Sequence, residues 1–87
     1  MYNYQTERPK LFTESGSVMF LKFRDRVKNL LQVSGAVTAE RAMEGLACDT
    51  WVRLACVDRL VELGEIREVT DPGKLAGQYR VFVGSEP

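Results

Sequence analysis

A chain of 87 residues has room for one hydrophobic core, since a domain usually takes roughly 100 to 200 residues, so any function must fit on one small site or surface. Twelve basic and twelve acidic residues leave no net charge, which excludes a global field drawing the molecule to nucleic acid or an anionic membrane. With no histidine, the two cysteines cannot close a four-ligand zinc site, and neither a metal nor a cofactor is expected.

Cys48 and Cys56 lie eight residues apart, a spacing that suits neither a disulfide framework nor a redox motif, and they read as small buried thiols. No apolar run approaches the roughly 20 residues of a membrane span, and Met1–Lys10 lacks the apolar stretch of a signal peptide. A cytoplasmic protein without membrane contact is expected.

Residues 1–12 read as an N-terminal tail. MYNYQTERPK is polar, Pro9 biases Arg8 away from helix, and the first residues of a chain are often loosely ordered. Tyr2 and Tyr4 are placed to pack on the domain or on a partner. Thr13 then caps a helix that should run to Leu31, with Gly16 weakening its start. Met19, Phe20, Phe23, Val27, Leu30 and Leu31 form its apolar stripe. Lys22, Arg24, Arg26 and Lys28 flank that stripe as solvated rims, while Val18 and Leu21 lie off it and face the tail or a second subunit.

Ser34-Gly35 ends the helix, Ala36-Val37 allows a brief extended pairing, and Thr38 caps a short second helix from Ala39 to about Leu46. Gly45, Ala47 and Cys48 suit a tight turn. Asp49 caps a third helix, Thr50 to Leu63, which Gly64 stops. Leu54, Cys56, Val57, Leu60 and Val61 cluster on its core face; Trp51, Ala55, Asp58 and Glu62 lie opposite. Glu65–Thr70 and Gln78–Val83 read as strands joined by the turn-rich loop DPGKLAG, and residues 84–87 as a C-terminal tail.

The order of elements and the text VDRLVELGEIREV, with Val57, Leu60, Gly64 and Ile66 followed by Tyr79, Val81 and Val83, resemble the winged helix-turn-helix superfamily from residue 15 to residue 83, within a domain read as residues 13–83. The opening TERPKLFTE also resembles short uncharacterised bacterial proteins, which implies no activity. The first resemblance implies an α+β fold of three helices with a C-terminal β-hairpin wing. It also implies a small DNA-binding protein, a transcriptional regulator, whose third helix enters the major groove of double-stranded DNA. Carried over by position, Thr50, Arg53, Arg59, Lys74 and Arg80 are then the nucleic-acid contacts.

The charges point to an alternative. From Thr50 to Leu63 two basic residues face two acidic ones, whereas DNA binding typically neutralises several phosphates with Lys or Arg. Trp51, Ala55, Asp58 and Glu62 resemble an aromatic anchor within a polar rim, the pattern of a protein–protein or dimer interface. An enzyme is not expected: there is no nucleophile–histidine pair, and Gly73-Lys74 lacks the context of a phosphate loop.

Overall fold

One long helix organises the molecule, and its sequence explains both of its ends. The computed structural model describes residues 1–46, 48–69 and 80–85. Helix α2 spans Glu14–Ser34. Its start is capped by Thr13, whose Oγ1 accepts the Gly16 N–H at 3.0 Å. It continues past the expected Leu31 because Gly35, at φ 77°, supplies the left-handed stop, its N–H donating to the Leu31 carbonyl at 2.8 Å.

The other helices follow their caps in the same way. Helix α3 (Ala39–Met43) is capped by Thr38 Oγ1, which accepts from the Arg41 N–H at 3.1 Å. It stops before Leu46 because Glu44 turns extended (ψ 129°) and Gly45 takes φ 82°. Helix α4 (Thr50–Glu62) is capped by Asp49, whose Oδ1 accepts from the Trp51 N–H at 2.7 Å. At its end Gly64 (φ 75°) donates to the Val61 carbonyl and Glu65 to the Leu60 carbonyl, both at 3.0 Å. That pair of bonds is a Schellman motif, and it turns the chain straight into the sheet.

Three short strands, β1 (Ala36–Thr38), β2 (Ile66–Glu68) and β3 (Val81–Gly84), form an antiparallel sheet in the order β1-β3-β2. Phe82 pairs with Val37 on one side and Glu68 on the other, and Ile66 pairs with Gly84. By the two-residue repeat of a strand, Val37, Ile66 and Phe82 therefore share one face, and all three are buried. Strand β2 is shorter than the expected Glu65–Thr70. The start expected for the second hairpin strand, the connecting loop with Lys74, Tyr79, Ala47 and residues 86–87 lie outside the described residues.

Among the described residues the chain is α+β, with the inner face of the sheet packed beside the helices. Phe23 and Val27 of α2, Ala42 and Met43 of α3, and Leu54, Cys56, Val57 and Leu60 of α4 close the core around Phe82. Fully burying a large apolar side chain contributes roughly 1.5–3 kcal/mol, so this cluster is the main stabilising term. No helix among the described residues is long and apolar enough to cross a membrane.

The N-terminal segment differs from the loose tail read from composition. Residues Tyr4–Glu7 form helix α1, and Arg8–Phe12 form a 3-10 turn. Asn3 caps α1, Leu11 and Glu7 are buried, and Tyr2 and Tyr4 pack against the core cluster. The buried Glu7 carboxylate accepts from Lys10 Nζ at 2.7 Å, so it enters the fold paired. Polar composition hid this because the partners of the segment are polar groups far along the chain.

Candidate functional site

The outward face of α4 is the surface on which both readings of function depend, so its cover decides what it can do. Four consecutive residues, Leu54, Ala55, Cys56 and Val57, are buried, which means the helix is enclosed on more than one side at that level. One side is the core. The other is α1 and the 3-10 turn, which lie against α4. Ala55, expected on the outward stripe, is consequently 0% exposed, whereas Trp51, one turn earlier, remains 42% exposed.

Beyond Ala55 the segment is held by hydrogen bonds to the two carboxylates of that stripe. Tyr2 Oη donates to Asp58 Oδ2 at 2.6 Å, and Tyr4 Oη donates to Glu62 Oε1 at 2.8 Å. Arg8 Nε donates to both Glu62 oxygens, at 2.9 and 3.0 Å, and Arg59 Nη1 reaches Glu62 Oε1 at 2.6 Å. The Phe12 ring lies 4.9 Å from the Arg8 guanidinium and 5.0 Å from that of Arg59, within cation–π range of both. Asp58 is also bound by Arg80, just before β3, whose Nη2 donates at 3.1 Å; the same nitrogen reaches Glu68 Oε1 at 3.0 Å.

Protonation follows this geometry. Arg8, then Arg59 and the Tyr4 hydroxyl, hold the Glu62 carboxyl down to about 2. Burial and the bond to Glu62 push Tyr4 up to about 12, and burial with the bond to Asp58 raises Tyr2 as well. For Arg80 burial works against the charge, but Glu68 and Asp58 outweigh it and the guanidinium is raised. Both tyrosines are thereby kept as neutral donors and Glu62 as an ionised acceptor across the neutral range.

The structure joins Asp58 with Arg80 and Glu68 in one cluster and Arg59 with Glu62 and Arg8 in a second, and it leaves Thr50, Trp51 and Arg53 at the opposite end of α4. Thr50 is exposed. Arg53 Nε donates to the Cys48 carbonyl at 2.8 Å, closing the turn before the helix. Lys74 lies outside the described residues. Sequence reasoning missed Arg8, Phe12 and Glu68, and it left Tyr2 and Tyr4 without partners. The one signal was a pair of tyrosines and an arginine in a segment otherwise without apolar periodicity. Cys48 and Cys56 are free; Cys56 is buried, and burial pushes its thiol up to about 12.

No protein family, curated protein or solved structure matches the chain.

Proposed function

We propose that this chain is a winged-helix-type interaction module that binds a protein partner through the exposed end of α4 around Trp51. The observation that carries the proposal is the fate of Arg59 and Arg80. Arg59 is taken up by Glu62, and Arg80 by Asp58 and Glu68, while Tyr2, Tyr4 and Phe12 cover the rest of that face. A phosphate would have to displace a carboxylate before it could use either guanidinium. Trp51, by contrast, offers a large apolar ring with a polar N–H, the residue type most often found to anchor an interface. Trp51→Ala in a pull-down from cell extract should remove the captured partner while the circular dichroism spectrum is retained. Capture of the same proteins by both forms would overturn the reading.

DNA binding is the second reading, favoured by the order of α3, turn, α4 and the antiparallel pair β2–β3. On it, Thr50, Arg53 and Lys74 would meet DNA. It requires a complex that weakens steeply between about 50 and 200 mM salt, because phosphate neutralisation releases counterions. Gel retardation with random and genomic fragments reads this directly, and no shift at the lower salt excludes it.

A further inference from the structure

Helix α2 carries an uncovered surface that stands apart from the proposal for α4. Glu14, Val18, Leu21 and Asp25 recur at i, i+4, i+7 and i+11, the spacing of one helix face, and all four are exposed. Val18 and Leu21 are each 53% exposed. The stripe thus has two apolar side chains between two carboxylates. Among the described residues neither carboxylate is engaged in an ion pair.

Beside the C-terminal half of the same helix runs a groove of ≈ 870 Å³, bounded across from α2 by the end of α4, β2 and the end of β3. Val27, Leu31, Ile66 and Val83 supply its apolar lining, and Arg24, Lys28 and Arg67 supply positive charge. Among the described residues Glu65 is its one carboxylate, shared between Arg24 Nε at 2.9 Å and Lys28 Nζ at 3.6 Å. Arg67 has no ion-pair partner among the described residues. In a chain of zero net charge, the groove is therefore locally basic and the neighbouring stripe locally acidic, each around an apolar centre.

We propose that the chain forms a two-fold homodimer in which the stripe of each α2 lies in the groove beside the partner's α2, the two helices antiparallel. With the axis near residues 24 and 25, Asp25 meets the partner's Arg24 and Leu21 meets the aliphatic stem of the partner's Lys28. In the same register Val18 meets the partner's Leu31, and Glu14 reaches the Gly35 end of the groove, which Arg67 also lines. One arrangement places Val18 on the apolar lining, Leu21 on an aliphatic stem and both carboxylates near cations. Because the contact is the same surface on both copies, it closes at two subunits instead of growing into a filament. A 21-residue α2 is about 30 Å long, enough to carry the whole stripe and groove.

The 87-residue chain is tested by sedimentation equilibrium together with disulfide trapping. A dimer mass is expected, and Leu21→Asp, at an exposed site, should weaken the dimer by at least about 30-fold, the effect of losing one strong interface contact. In a Cys48→Ser background, Leu21→Cys and Lys28→Cys chains should cross-link when mixed and not when oxidised separately, since the antiparallel register pairs 21 with 28 and not either with itself. A monomer at every concentration, a dimer indifferent to Leu21→Asp, or equal cross-linking in the unmixed samples would overturn the proposal. None of these outcomes depends on Trp51, so the two proposals fail separately.

Discussion

Gly16 looks like a defect in a helix start when only its neighbours in sequence are considered. In the fold it is a point of close approach: a Cβ there would sit 2.0 Å from the Lys10 carbonyl oxygen, a backbone atom with no freedom to retreat. Gly16→Ala should therefore destabilise the protein, by about 1–3 kcal/mol as for other overpacked sites, where helix propensity alone predicts a gain. Urea unfolding measures the sign. Glu62 makes a second prediction at this scale. Its folded carboxyl titrates at about 2, below its unfolded value, so its contribution is complete above the ordinary carboxylate range and is lost as pH falls toward 2. Glu62→Gln should lower stability at neutral pH, and the difference from the parent protein should shrink between about pH 5 and pH 2. Cys56, fully buried with its thiol raised, should stay unlabelled by thiol reagents until the chain unfolds, while the half-buried Cys48 reacts earlier.

At the scale of elements, caps were legible and covers were not. Thr13, Thr38 and Asp49 each cap the helix expected from the sequence, because a cap is a bond between groups two or three residues apart. Helix lengths were less legible: α3 ends at Met43 because the backbone turns at Glu44 and Gly45, where apolar spacing alone extends it to Leu46. The N-terminal segment was the largest difference. Leu11 is its buried apolar anchor, and the rest of its attachment is hydrogen bonds and aromatic contact at a partly exposed rim. Leu11→Ala should cost about 2–5 kcal/mol if the segment unfolds only with the domain. A smaller loss, with hydrogen exchange rising in α1 alone, would mean that the segment opens by itself.

For the molecule as a whole, a radius of gyration of 12.0 Å matches the roughly 12 Å expected of a folded chain of this length. The core cluster draws on every helix from α2 to α4, on all three strands and on Leu11, so the domain should unfold as one unit. Far-ultraviolet circular dichroism and Trp51 fluorescence should then give coincident urea transitions, and an earlier fluorescence change would separate the start of α4 from the core. The sequence by itself determined the α+β class, the order of helices and strands from Thr13 onward, and most of the core positions, because caps, glycine stops and apolar periodicity are local signals. Only the tertiary structure decided what α4 presents. Tyr2 and Asp58 are 56 positions apart and Tyr4 and Glu62 are 58, and no periodicity links such pairs. Until the chain closes, Asp58 and Glu62 are two exposed acids on a helix. Once it closes, they anchor the segment that covers that helix, while Trp51 on α4 and Val18 and Leu21 on α2 stay exposed.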